Sequence, residues 1–527
     1  MRLGMLDAVI MVAYLVATAI IGFIAGRREK TDAREYFLAG SRLPWYTVGM
    51  SMVAASISTE QFIGEVGFAY TYGLAVANWE WLIFPALTIL IWIFTPFFVR
   101  CHVTTMPEFL ERRYGPESRT IFAFLTIVSY TAVNLAMVLY SGGLLLNSLF
   151  GLNIWVCIVL LAVVTGAYTV YGGLSSVAWT DAFQCVLLLL GGLLVFGLGL
   201  YHVEGGWDAI VGTGDRAHLI LPADHPDLPW PAMLALALVT NTWYYCTNQY
   251  INQRCLGAKD EWHAKMGMVL CGFLGILLAF AVSFPGLIAY AMNPNLSNPN
   301  TAYPYLVTNL LPPALQGLVL AGLVAAIMST ISSLVNSAAT VYTIDIYQRF
   351  LAPEAPEVRL VVVGRWSGTI ILLIGLVCAP IVGQWEHIFR YCQDVWVLMA
   401  GPTVAVFVLG VLWKGATRTA ATITMLLSFP LVTIPYVQKF HPILTGTFAN
   451  AFVLGGFVCI LCFVVMVVVS LATRETPKKE ALELHWTPAM LALPGEVAAK
   501  YGAWYKRVGF WWLALGLLYA VIYVTFW

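Results

Sequence analysis

Apolar runs of roughly 20 residues, each long enough to cross a hydrocarbon core of about 30 Å as a helix, follow one another along the chain with short polar or Pro/Gly-rich breaks between them. The pattern predicts fourteen spans, near residues 6–25, 46–72, 78–99, 119–149, 153–171, 178–201, 229–253, 266–292, 308–347, 361–382, 385–412, 418–436, 449–472 and 507–526. Backbone groups in lipid must be paired within their own segment, so the runs are read as helices; the alternating pattern of a membrane barrel is absent. The first run has no charged stretch ahead of it and no small-residue cleavage site, and is read as a retained span.

Composition agrees with an all-α polytopic membrane protein. Of 527 residues, 60% are hydrophobic and 10% charged, and the mean hydropathy is +0.82, which excludes a soluble protein of ordinary surface. Net charge is zero, so nothing indicates a nucleic-acid partner; the lipid bilayer is the partner. Ten cysteines, mostly inside spans, read as apolar filler without a disulfide framework. There is no Walker loop, nucleophile elbow or metal-ligand cluster, and no room for a soluble catalytic domain, so the chain is not read as an enzyme.

The basic residues orient the spans. Loops that follow odd-numbered spans hold 23 of the 27, beginning with Arg27, Arg28, Lys30, Arg34 and Arg42 and including Arg254; the opposite side has Arg2, Arg216 and Lys439, with Arg390 near the start of a span. Loops rich in Lys and Arg stay on the cytoplasmic side, so both termini are expected to face outward from a plasma (inner) membrane.

Two spans carry polar centres. In the second, 54–61 packs Ser and Thr beside Glu60 and Gln61; in the seventh, 240–247 reads TNTWYYCT. Breaks in matching positions of two halves, here spans two to six and seven to eleven, mark an inverted-repeat transporter with midplane sites beside unwound backbone. The alternative is that both stretches are small-residue packing faces with satisfied hydroxyls.

Intramembrane ionisable groups are costly, which makes Glu80 in the third span a functional candidate, with a locally paired interfacial carboxylate as its other reading. Asn241, Tyr244 and Gln393 are polar and membrane-embedded, suited to replace water around a polyhydroxylated solute; Trp79, Trp243 and Tyr245 offer flat walls, or are core or interfacial anchors. In the ninth span, Ser329, Ser332 and Ser333 share one helical face beside Thr330. Hydroxyls and freed carbonyls suit a hard cation, but such hydroxyls also back-bond to the preceding turn. Asp181, at the mouth of the sixth span, either completes a cation site with them or caps its helix.

At these residues the chain resembles the sodium:solute symporter family, and within it the sodium/glucose cotransporter branch. The likeness runs through YFLAGSRLPWYTVG at 36–49, ISTEQFIG at 57–64, GLAVANWEW at 73–81, TTMPEFLERRYG at 104–115, VYGGLSSVAWTD at 170–181, NQYINQRCLGAK at 248–259, AAIMSTISSLVNSAATVYTIDIY at 325–347 and FRYCQD at 389–394. It implies a leucine-transporter-like core of five plus five inverted helices at 46–412 (repeats 46–201 and 229–412), with one span in 1–45 and three in 413–527, and alternating access coupled to sodium.

Carried over by position, the resemblance places the main sodium ion among the carbonyls of Ala54, Ile57 and Ala326 and the hydroxyls of Ser329 and Thr330. Some relatives bind a second sodium, which here would use Asp181, Ser332 and Ser333. Gln61, Glu80, Asn241 and Gln393 match the branch's sugar contacts, and Tyr244 its inner gate. Three positions depart: Ser56 replaces an asparagine, Ile83 a serine and Gly275 a lysine. Fewer partners for hexose hydroxyls, at about 1–3 kcal/mol for each unmade buried hydrogen bond, imply a smaller or differently oriented sugar, or a polyol.

The expectation is therefore sodium-coupled symport of a sugar or polyol. Its rivals are symport of an amino acid or organic acid, against which the Glu80 carboxylate argues, and a solute-binding membrane sensor, for which the tail at 472–506 is short and plain.

Overall fold

The computed structural model describes residues 4–527 apart from 29–31, 213, 383–387, 442, 474 and 476–478. Arg2, Lys30, Arg474 and Lys478 of the charge pattern lie outside the described residues, as do the side chains of Arg390 and Lys439 and of 389–392 in FRYCQD. Among the described residues the span regions are helical apart from short breaks, as the need for internal backbone pairing in lipid requires.

Ten of the described helices are long and apolar enough to cross a membrane. Two of them each hold more than one crossing. Gln61–Arg100 carries the second half of span two and all of span three, turned at Gly73 (φ 80°), while Ile154–His202 carries spans five and six, turned at Gly173 (φ 55°, ψ −151°). Both turns need a residue without Cβ. Span seven is divided among Trp230–Ala235 and the π-helical turns Leu236–Thr240 and Trp243–Thr247. Span twelve is divided among Arg418–Leu426, Ser428–Leu431 and Ile434–Phe440, where Pro430 and Pro435 remove backbone donors. With these counted, the described residues make about fourteen crossings, in line with the hydropathy pattern.

Position in the bundle follows from which spans have lost their lipid face. In the most apolar stretch of the ninth span (Leu315–Leu351), 94% of residues are buried, against 17% in the first span and in Val508–Thr525, the fourteenth. Span nine therefore forms the centre, packed against Ile154–His202 and Trp45–Ser56, and the first and last spans form rim.

Loops that follow odd-numbered spans meet at one end. Arg100 pairs with Glu261 at 2.8 Å, Arg119 bridges Glu111 and Asp345 at 2.6 Å each, and Arg113 donates to the Gly410 and Trp413 carbonyls. At the other end Arg216 donates to the Tyr70 and Thr71 carbonyls, and Leu219 N–H to the Phe526 carbonyl.

Small residues let these helices approach closely. A Cβ on Gly286 of span eight would lie 2.7 Å from the Ala69 Cβ and overlap the Val66 carbonyl. Gly286→Ala forces span two away from span eight, and is expected to lower unfolding stability by about 1–3 kcal/mol in thermal melts of detergent-solubilised protein. An unchanged melt would show that the two helices separate at no cost.

Candidate solute and cation sites

The second span breaks where hydroxyls and an amide compete with the helical ladder. Its first half, Trp45–Ser56, ends at Ile57, which is extended (φ −113°, ψ 128°). Gln61 then ties the ends together: its Oε1 accepts from Ser58 N–H at 2.8 Å and its Nε2 donates to the Ser56 carbonyl at 3.0 Å. The seventh span keeps its polar centre helical in π-turns and breaks one residue later, at Asn248 (φ −70°, ψ 133°). There Asn252 Nδ2 donates to the Tyr245 and Asn248 carbonyls and the Tyr130 hydroxyl accepts from Gln249 N–H, so side chains replace the missing ladder.

The break in span two faces the hydroxyls of span nine. Ser329 Oγ lies 2.7 Å from the Ala54 carbonyl and 3.0 Å from that of Ala326; Thr330 Oγ1 lies 2.9 Å from the Ile57 carbonyl and 3.1 Å from that of Ala326. Five neutral oxygens, from two elements far apart in the chain, thus converge on one buried point. An all-oxygen set is the donor chemistry a hard monovalent cation takes, so the residues present fit sodium.

The structure does not assemble a second cation site from Asp181, Ser332 and Ser333. Arg254, counted from sequence among the loop charges, is instead fully buried, and its Nη2 pairs with Asp181 Oδ2 at 2.7 Å and donates to Ser333 Oγ. Its Nε donates to Ser51 Oγ, which in turn donates to Asp181 Oδ2 at 2.7 Å, and Ser332 Oγ donates to the Ser329 carbonyl. A guanidinium therefore stands where the second cation was expected. The reason is geometric: the helix after the seventh-span break carries Arg254 inward, against spans two, six and nine.

Beside the cation point lies a cavity of about 500 Å³ including its opening. Ser56 and Gln61 line it from the same break, Glu80 and Ile83 from span three, Asn241, Tyr244 and Tyr245 from span seven and Gln393 from span eleven. Thus every sequence-proposed solute residue reaches the cavity except Trp243. Residues 241, 244 and 245 share one helical face, but 243 does not; Trp243 lines a separate cavity with Tyr130, Asn248 and Met399. Asn241 Nδ2 donates to the Leu82 carbonyl at 2.9 Å, tying span seven to span three.

Two of the departures from the family pattern prove complementary. A Cβ on Gly275 would lie 2.6 Å from Ile83 Cδ1, so the isoleucine fills the room that a side chain at 275 would need. Sequence reasoning missed Glu60, Thr240, Leu236 and Trp396 as cavity residues. Glu60 was legible only as part of the polar break, and Thr240 only as the neighbour of Asn241 and the residue one turn before Tyr244; Leu236 and Trp396 carried no signal.

A model of the sodium:solute symporter family matches residues 36–428, well over half the chain. The sodium/glucose cotransporter of Vibrio parahaemolyticus is 36% identical over 472 residues, covering 84% of this chain and 86% of that protein. Sodium/myo-inositol cotransporter 2 of Mus musculus is 32% identical over 474 residues, covering 82% and 70%. Among solved structures, a Na+-coupled sialic acid symporter in a substrate-bound outward-open state superposes with a TM-score of 0.79 at 22% identity, covering 90% of this chain and 99% of that one. Mhp1, a nucleobase-cation-symport-1 family transporter, superposes at 0.56 and 12% identity, covering 86% and 98%. At these identities the superpositions speak to the fold.

Proposed function

This chain belongs to the sodium:solute symporter family, and from that premise we propose that it carries a sugar or polyol inward with sodium across the plasma membrane, by alternating access. It is a transporter, not an enzyme, and sodium is its coupling ion.

One observation carries the mechanism: a single helix break serves both sites. The Ala54 and Ile57 carbonyls join the cation cluster, while Ser56 and Gln61 line the solute cavity. Sodium bound by Ala54, Ile57, Ala326, Ser329 and Thr330 holds the break in one geometry, and so presents the cavity groups to solute. Solute then binds the sodium-loaded state more tightly, and by linkage tightens sodium in return.

In the cavity, Glu80, Gln61, Asn241 and Gln393 take solute hydroxyls, and Tyr244 and Tyr245 wall the inner side. Arg254 fills the Asp181–Ser333 position, which supports one sodium per cycle. The transport core is 46–412, and the basic end faces the cytoplasm, leaving both termini outside. A solute anion would meet the Glu80 carboxylate, which disfavours organic acids as cargo.

Uptake of labelled glucose, galactose and inositol into proteoliposomes tests this reading. Accumulation of at least one is expected only with an inward sodium gradient, with a sodium dependence that saturates at a single site. A flux indifferent to sodium, or blocked by organic acids and not by sugars, would defeat it.

A further inference from the structure

The first span lies at the rim of the bundle and outside the proposed core, yet its inward face is polar. Asp7, Tyr14, Thr18 and Gly22 recur along that face at helical spacing and are buried, while Leu6, Val9 and Val12 on the other side are more than half exposed. Burying a carboxylate costs free energy unless hydrogen bonds replace its water, so the partners of this face state what it does.

Both Asp7 and Tyr14 reach the ninth span. Asp7 Oδ1 accepts from the backbone N–H groups of Ala314 and Gly317, at 2.9 and 2.8 Å, and its Oδ2 accepts from that of Gly4 at 2.9 Å. Ala314 is where the chain turns into Leu315–Val341, and it stands at φ 75°, a left-handed conformation that a Cβ disfavours. The carboxylate therefore holds a turn that alanine's own preference does not. A Cβ on Gly317 would lie 2.7 Å from Asp7 Cα, so the glycine lets the two helices meet this closely. Two turns along span one, the Tyr14 hydroxyl donates to Met328 Sδ at 3.5 Å and accepts from Gln184 Nε2 of span six at 3.0 Å. Met328 directly precedes Ser329 and Thr330.

We propose that span one positions the sodium site: Asp7 fixes the start of span nine and Tyr14 the residue before its cation hydroxyls. This rests on the reading above that sodium binds at Ser329 and Thr330. Oxygens from two helices must meet one ion, and Ser329 and Thr330 stand 2.7 and 2.9 Å from the Ala54 and Ile57 carbonyls. A sliding or turning of span nine spoils both distances together, because a close-packed helix passes a shift at one end on to residues further along. Asp7 and Tyr14 are positioning residues that act through span nine.

Sodium alone is the probe. The melting temperature of the full chain in detergent is followed as sodium replaces choline at constant ionic strength. Tyr14→Phe and Asp7→Ala are each expected to raise the sodium concentration giving half the stabilisation by about three- to tenfold. Asp7→Asn, whose amide oxygen can still accept from Ala314 and Gly317, should restore the parent's half-point, and Val9→Ala, on the lipid-facing side, should match it. A packing defect alone would lower the melting temperature without sodium and leave the half-point in place. Tyr14→Phe keeps the ring and its packing, so it decides the matter even where Asp7→Ala does not fold. An unchanged half-point in either folded variant overturns the inference. Ser329→Ala, measured alongside, separates the two readings: if it weakens sodium and the span-one variants do not, the inference falls and the cation site stands, and if none of the three weakens sodium, both fall.

Discussion

Ser329→Ala is expected to abolish sodium-driven accumulation at sodium concentrations that saturate the unaltered chain, while the protein still folds. The hydroxyl is one of five oxygens converging on the cation point, 2.7 Å from the Ala54 carbonyl and 3.0 Å from that of Ala326. A polar contact to a charged group is worth about 1.5–3 kcal/mol, so its loss weakens sodium binding roughly 10- to 100-fold. In the proposed mechanism sodium holds the break that also presents Ser56 and Gln61, so solute affinity at ordinary sodium is expected to fall with it. Thr330→Val should behave alike, since Thr330 Oγ1 lies 2.9 Å from the Ile57 carbonyl, and Thr330→Ser should retain transport. Sodium titration of solute uptake, with thermal melting as the check on folding, reads all three. Unchanged sodium affinity in both Ser329→Ala and Thr330→Val would place the cation elsewhere.

Arg254→Met should cost about 3–5 kcal/mol of stability, because it leaves the fully buried Asp181 without its counter-charge, held by neutral hydroxyls such as that of Ser51. Arg254 Nη2 meets Asp181 Oδ2 at 2.7 Å, and the guanidinium also donates to the Ser51 and Ser333 hydroxyls and to the Tyr250 carbonyl. The double variant Arg254→Met with Asp181→Leu removes both charges and should recover most of the loss, which distinguishes an ion-pair effect from a simple packing defect. Melting temperatures of the two single variants and the double variant complete the cycle. If Arg254→Met melts like the parent, the pair is not holding spans two, six and nine together around it.

Sodium stoichiometry turns on the same arginine. With the guanidinium at Asp181 and Ser333, the saturable sodium dependence expected above has one step. From sequence, Arg254 is one more positive charge after a span, and Asp181 and Ser333 suggest a cation site whose occupant is open. Nothing in local pattern says that the helix beyond Asn248 dives back into the core and carries its arginine with it.

Much of the fold is legible in local pattern because a bilayer imposes it locally. Every segment in lipid must pair its own backbone, so length and apolarity suffice to mark the spans, and loop charge suffices to sort their ends. The break in span two was equally visible, since Ser58, Thr59 and Gln61 are the groups that compete with a helical ladder wherever they stand. The turn at Gly173 was not marked from sequence beyond the gap between two runs, though its φ of 55° is what reverses the chain there.

The solute cavity was half legible. Glu80, Asn241 and Gln393 stood out as polar groups in apolar surroundings, and the helical period joins Asn241 to Tyr244 and Tyr245. That same period should have set Trp243 aside, because a residue two positions on faces elsewhere. Glu60 and Thr240 were hidden beside more conspicuous neighbours, and Leu236 and Trp396 look like any apolar residues of a span.

By itself, then, the sequence determined that the chain is a many-span helical membrane protein, where two of its helices are weak, and which end is basic; these follow from hydrophobicity and backbone pairing, which act within a segment. The tertiary structure brings Ser329 and Thr330 to carbonyls about 275 positions away, which only the family resemblance had grouped with them, and it alone decided that Arg254 takes the place beside Asp181 and that Glu60 and Glu80 share one cavity. Such meetings are settled by how helices distant in the chain pack together, and neither period nor composition carries that information.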